Sequence, residues 1–196
     1  MLVASYADLA RVIRDRPARA SATRVVGVDG PAGSGKSVFA ERLGAALSAT
    51  IVCLDDLTPA WSGPDKEAAI LVEHVLRPLA LGGDARYQRF DWVRNEYAEW
   101  RGVPPEPTLL VEGVGSGSRI VRPYLSMLIW VEAPTALRLT RGLERDGDVY
   151  RPQWDRWRER EDRLFEVERT RECAEIRVDG APTIANDPEL EYVTLD

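Results

Sequence analysis

The sequence predicts an α/β fold: a doubly wound parallel sheet of five strands with helices on both faces. Three observations carry this. Short apolar or β-branched runs recur at residues 24–29, 50–54, 108–111, 127–131 and 175–178. Segments of helical spacing separate most of them. The first run passes directly into a glycine-rich turn, and the second and third close on acidic residues.

Taken in order, Ser5 with Asp8 three residues on resembles a capping box, opening a helix that stops near Pro17. Residues 24–29 read as a buried first strand, followed by the glycine-rich turn and a helix over 36–47. The second strand, 50–54, ends at Asp55-Asp56. Residues 67–81 are helical by spacing and closed by Gly82-Gly83. The stretch 84–107 is aromatic, arginine-rich and ends in prolines, so it reads as an inserted excursion. The third strand, 108–111, runs into Glu112 and a glycine-serine turn over 113–118. A fourth strand at 127–131 precedes a helix from Pro134 to about residue 145. After a polar break, Asp146-Gly147-Asp148, a helix over about 152–171 leads into the fifth strand, 175–178. The expectation is one domain over 1–196 with an insertion over roughly 61–107.

Composition narrows the classes. The chain has 196 residues, 44% hydrophobic and 30% charged, which suits a globular protein with a core of its own. Its 26 basic and 32 acidic residues give a net charge of −6, against a general nucleic-acid binder. No apolar run approaches the ~18 residues of a membrane helix, and the N-terminus does not read as a signal peptide. Two cysteines, Cys53 and Cys173, are too few for a disulfide framework, and a cytoplasmic location is expected. No heptad pattern assigns an oligomeric state. All but two of the basic residues are arginine; the lysines are Lys36 and Lys66.

Lys36 sits where one chemistry requires lysine. Gly30-Pro31-Ala32-Gly33-Ser34-Gly35-Lys36-Ser37 fits G-x-x-x-x-G-K-[ST] in full, after a strand and opening a helix. Glycines let successive amides turn inward as an anion nest, so the backbone from Gly30 through Ala32, Gly33, Ser34 and Gly35 to Val38 is expected to cradle phosphates. The helix start adds a positive dipole end and Lys36 a cation. Ser37 offers a hydroxyl to Mg²⁺, which bridges phosphate oxygens. The four fixed positions coincide by chance in about one chain of this length in a hundred. The dinucleotide fingerprint fails, because Gly33-Ser34-Gly35 would need glycine at Val38.

Three classes share such a cradle. A GTPase needs an Asn-Lys-x-Asp motif, which two lysines in these contexts do not supply. Transport and remodelling ATPases carry partner-contact motifs that are missing, and their apolar strand usually ends in Asp or Asp-Glu, whereas here it ends in Glu112-Gly113. Small-molecule kinases remain, using ATP and Mg²⁺ on a small acceptor. A nucleotide-binding regulatory or assembly module with a degenerate acceptor pocket is the alternative. For a kinase, Asp55, Asp56 and Glu112, all at carboxyl ends of strands, should converge near Lys36 and Ser37. There they could take the acceptor proton or hold Mg²⁺. Adjacent aspartates can equally cap a helix. Arg138, Arg141 and Arg145 fall on one helix face, either clamping phosphates or forming a solvated face paired with Glu144. Trp154 and Trp157 could stack on a base or pack in the core. Among the neighbouring charges, Glu159, Glu161 and Asp162 read as balancing the arginines. Tyr87, Trp92, Tyr97 and Trp61 could wall an acceptor pocket or form the insertion's own core.

Residues 27–37, Leu54-Asp55-Asp56-Leu57, Val111-Glu112-Gly113 and the run 141–146 (Arg-Gly-Leu-Glu-Arg-Asp) together resemble the uridine kinase-like branch of the P-loop kinases, over roughly residues 22–180. The resemblance implies transfer of the γ-phosphoryl group of ATP to a nucleoside, nucleotide or other hydroxylated metabolite. It implies Asp55 as general base, with Asp56 the alternative, and Ser37, Asp55 and Glu112 around Mg²⁺. Arg141 and Arg145 would belong to a lid over about 138–152, and the insertion would hold the acceptor. Phe90-Asp91-Trp92 is similar to the branch's Tyr-Asp-Phe triplet, whose aspartate holds sugar hydroxyls, so Asp91, Tyr87 and Trp92 become acceptor contacts. One departure stands out: pyrimidine nucleoside kinases read the base with a histidine just after that triplet. The single histidine here, His74, lies before it, in a helix beside Val75 and Leu76.

Overall fold

A computed structural model describes residues 1–59 and 61–195. Its central sheet has seven strands. β2 (Arg24–Asp29), β3 (Thr50–Cys53), β6 (Thr108–Glu112), β7 (Leu125–Glu132) and β8 (Ile176–Asp179) are the five expected ones, mutually parallel. Two short strands add to the β8 side: β9 (Glu191–Thr194), antiparallel to β8, and β1 (Leu2–Ser5), antiparallel to β9. The order is β1-β9-β8-β7-β2-β6-β3. The five-strand expectation is thus corrected to seven. The extra strands are no shorter than β3 and β8, but they pair antiparallel at the sheet's end, and β1 finds its partner almost two hundred residues away, beyond the reach of a local pattern.

β2 runs through the middle, and its alternation feeds two cores. Val25 packs with Leu54, Leu71, Val75 and Leu109 on one face; Val26 and Val28 pack with Ile13, Phe39, Leu43 and Met127 on the other. The second face is covered by α1 (Tyr6–Arg14) and α2 (Lys36–Leu47). Ser5 caps α1 as expected, its Oγ accepting from the Asp8 amide at 3.0 Å. The first face is covered by α3 (Pro64–Leu71), a π-helical turn (Val72–Leu76) and α4 (Arg77–Ala80). The single helix expected over 67–81 is therefore three pieces, with His74 exposed on the π-turn.

The excursion folds as an antiparallel hairpin of β4 (Ala85–Asp91) and β5 (Glu96–Val103), separate from the main sheet. Tyr87 points inward and is buried with the first core, so the sequence expectation that it lines the acceptor site does not hold. After β7, α5 (Thr135–Asp146) and α6 (Arg151–Glu168) flank the polar break. The helix expected to reach 171 breaks at Arg169, which turns left-handed (φ 52°) before α7 (Thr170–Cys173).

Candidate active site

The carboxyl ends of β2, β3 and β6 face one cavity of about 280 Å³, at the crevice where such sheets bind ligands. Its floor is the turn between β2 and α2. Gly33 (φ 76°) and Gly35 (φ 100°) are left-handed, and a Cβ on Gly33 would lie 2.5 Å from the Arg138 carbonyl oxygen. Gly33, Gly35, Lys36, Ser37 and Val38 line the cavity. Gly30 and Ser34 shape the loop from beneath instead. A Cβ on Gly30 would strike Val131 O at 2.0 Å, while Ser34 is fully buried and its amide donates to Pro31 O.

Lys36 is only 7% exposed, with Nζ donating to Pro31 O at 3.1 Å. Ser37 Oγ donates to Glu112 Oε1 at 3.2 Å, joining the start of α2 to the end of β6. Burial pushes the Glu112 carboxyl up, while Lys36 and the Ser37 bond pull it back. Among the described residues no three His, Cys, Asp or Glu side chains group to hold a metal by themselves. A hydroxyl and one carboxylate beside a left-handed glycine loop instead suit Mg²⁺, which takes few protein ligands and completes its shell with phosphate oxygens and water.

Asp55 lines the cavity, and its carbonyl accepts from Trp92 Nε1 at 2.8 Å, tying the hairpin to the end of β3. Asp56 turns the other way, into an ion pair with Arg101 at 2.9 Å on β5, which corrects its placement as an active-site carboxylate. Asp91 is likewise corrected. Its Oδ1 accepts from the amides of Val93 and Arg94 and its Oδ2 from Arg89, so it caps the hairpin turn and lies outside the cavity lining. Trp92, the next residue, does line it.

The three arginines of α5 separate by role. Arg138 is buried and pairs with Glu161 at 2.8 Å. Arg141 donates to the carbonyls of Gly33 (3.3 Å) and Gly180 (3.1 Å), clamping the loop to the end of β8 beside the cavity. Arg145 lines the cavity, held by both Asp146 oxygens (2.7 and 3.1 Å), with its guanidinium 5.9 Å from the Trp154 ring centre. Asp146 Oδ2 also accepts from Trp154 Nε1 at 3.0 Å. Gly142 makes room for that indole: a Cβ there would lie 2.2 Å from Trp154 Cζ2.

Two supporting carboxylates escaped the sequence reading. Asp29, fully buried, accepts from the amides of Gly30, Gly115 and Gly117 at 2.7, 3.1 and 2.8 Å, bracing the loop against the turn after β6. Burial pushes it up to about 6 despite those bonds. Glu161, read only as balancing the neighbouring arginines, is 1% exposed and accepts from the Ala32 amide at 2.8 Å as well as from Arg138. Ala32 therefore lines the cavity with its N–H already engaged. Spacing could have found Glu161, since Trp154, Trp157 and Glu161 follow i, i+3, i+7 along the buried stripe of α6.

No protein-family model matches the chain, and no curated protein does. Solved structures do. A possible uridine kinase from Bacillus stearothermophilus is 18% identical, with a TM-score of 0.64 over 88% of this chain and 96% of its own. A candidate fructose transport system kinase from Silicibacter sp. TM1040 is 20% identical, with a TM-score of 0.61 over 87% and 95%. The chain has the fold of these two structures.

Proposed function

We propose that this chain is an ATP-dependent kinase that transfers the γ-phosphoryl group to a hydroxyl of a small acceptor. The observation that carries the reading is the meeting of Lys36, Ser37, Glu112 and Asp55 at the edge of one cavity floored by a left-handed glycine loop. Phosphoryl transfer needs little else: a cradle for the phosphates, charge neutralisation, and an acceptor for the hydroxyl proton.

In this reading the loop amides and the dipole of α2 take the β- and γ-phosphates, and Lys36 supplies the cation. Ser37 and Glu112 would hold Mg²⁺, which when bound neutralises phosphate charge and orients the oxygens. Asp55 takes the acceptor proton. Arg141 stands beside the loop, and Arg145, released from Asp146, adds positive charge as the segment around 138–152 closes over the site and excludes water. Nucleosides and nucleotides are the acceptors that the family resemblance implies.

The test is a coupled assay of ADP release with Mg·ATP against nucleosides, nucleotides, sugars and small alcohols, with Lys36→Ala as the control. Acceptor-stimulated release that Lys36→Ala abolishes supports a kinase. Tight Mg·ATP binding with no acceptor-stimulated release across the panel overturns it in favour of a nucleotide-binding module.

A further inference from the structure

Resting on the kinase reading, we infer that the acceptor is a one-ring alcohol, a single flat ring bearing the reacting hydroxyl, taken by stacking on indoles rather than read at a base edge. Beyond the phosphate loop and the two arginines, the described residues lining the cavity are four tryptophans, the carboxylates Asp55 and Glu112, and the small residues at 113, 114 and 142. The tryptophans come from both sides: Trp61 and Trp92 precede and follow the strand β4, and Trp154 and Trp157 lie on α6.

Trp61 is the hub. Its ring centre lies 6.3 Å from Trp92 at a 49° tilt, and 6.2 and 5.9 Å from Trp154 and Trp157, nearly edge-on to both. Trp154 and Trp157 are buried and back the wall, whereas Trp92 is 38% exposed and still has a face to offer. Two of the four indole N–H groups are already committed, Trp92 to Asp55 O and Trp154 to Asp146. Beyond the loop no described lining residue carries an amide, hydroxyl or imidazole side chain. In the kinase reading Asp55, Glu112 and the arginines serve the proton, the metal and the phosphates, so a nucleobase edge or a polyhydroxylated sugar would find few further side-chain partners for its polar atoms here, an unfavourable exchange. A flat ring against an indole loses nothing of the kind. The volume agrees: about 280 Å³ lies just under the ~300–1,000 Å³ usual for small-molecule sites, and it is shared with the phosphate loop.

With the ring against Trp92, the hydroxyl faces Asp55. The acceptor oxygen bonds to the γ-phosphorus, the bond from phosphorus to the β–γ bridging oxygen breaks, ADP leaves with that electron pair, and the hydroxyl proton passes to the Asp55 carboxylate. Atoms and charge balance with ATP and the alcohol alone.

The test compares benzyl alcohol, 3-pyridinemethanol, uridine and ribose, by ADP release with Mg·ATP and by calorimetry with Mg·ADP. The ring alcohols are expected to exceed uridine and ribose in kcat/KM by about tenfold or more. Trp92→Ala should raise the acceptor KM about tenfold and leave the KM for ATP within about twofold. Trp92→Phe keeps a flat face and should restore most of the loss, which a merely structural role through the Nε1 bond would not predict. A preference for uridine or ribose, or an unchanged acceptor KM in Trp92→Ala, overturns the inference while the kinase reading stands. Ring alcohols that bind the wild type and not Trp92→Ala, yet never stimulate ADP release, would remove the kinase reading and retain the stacking site.

Discussion

Glu161 on α6 accepts the backbone amide of Ala32 at 2.8 Å, so a carboxylate more than 120 residues downstream forms part of the support of the glycine-rich loop. The same carboxylate pairs with buried Arg138 at 2.8 Å. Loop, α5 and α6 therefore meet in one polar contact beneath the cavity.

Glu161→Ala strands a buried guanidinium and frees a loop amide. Removing one partner of a buried pair costs about 3–5 kcal/mol. For a chain of this length that is a fall in Tm on the order of 10 °C by calorimetry. Glu161→Gln, which keeps an acceptor for Ala32, should lose less.

Asp55→Asn preserves shape and removes the proposed proton acceptor. General-base loss lowers kcat by about 10²- to 10⁴-fold, with Mg·ATP affinity nearly unchanged by calorimetry. Full turnover by Asp55→Asn would remove Asp55 from the role, and Glu112 would be the remaining cavity-lining carboxylate to test.

Glu67, on α3, is 2% exposed; Thr58 Oγ1 donates to its Oε1 at 3.3 Å, and its Oε2 has no hydrogen-bond partner among the described residues. Burial first, then the charge of Asp55, pushes it up to about 8 from an ordinary 4.5. Between those values the folded protein holds a proton that the unfolded chain has lost. Stability from this group is complete at low pH and declines as pH rises from about 4.5 through about 8. Glu67→Gln should flatten that decline and gain most over the wild type above pH 8, measured by urea unfolding at several pH values.

Gly142→Ala places a methyl group where Trp154 now lies, since a Cβ would approach Cζ2 to 2.2 Å. Overpacking of this kind costs about 1–3 kcal/mol. The displaced indole should also weaken acceptor binding more than ATP binding, read as separate KM values.

Ser37→Ala and Glu112→Gln each remove one side of the 3.2 Å contact beside the loop. Both should raise the Mg²⁺ concentration giving half-maximal activity by about tenfold, as loss of one ligand or its support does at metal sites. An unchanged Mg²⁺ titration would place the ion elsewhere.

Much of the site was legible because its signals are local. The phosphate loop needs glycines, one lysine and one hydroxyl at fixed spacing between a strand and a helix, and 30–37 carries all of them in eight residues. Strand-end carboxylates are readable for a similar reason, because the carboxyl ends of parallel strands open on the same crevice. Asp56 and Asp91 misled because a carboxylate's partner is set by neighbours distant in sequence. Arg101 draws Asp56 onto the hairpin, and the hairpin's own turn amides draw Asp91 away from the cavity.

By itself, then, the sequence determined the alternation of strands and helices, the five parallel strands and the glycine-rich turn between the first of them and its helix, since strand and helix periods and glycine spacing act within a dozen residues. The tertiary structure alone decided that β1 and β9 extend the sheet. It also decided that Glu161 and Asp29 brace the loop, and that Trp61 gathers Trp92, Trp154 and Trp157 around the cavity. Those contacts join segments far apart along the chain, and which apolar or charged groups meet depends on how the layers pack.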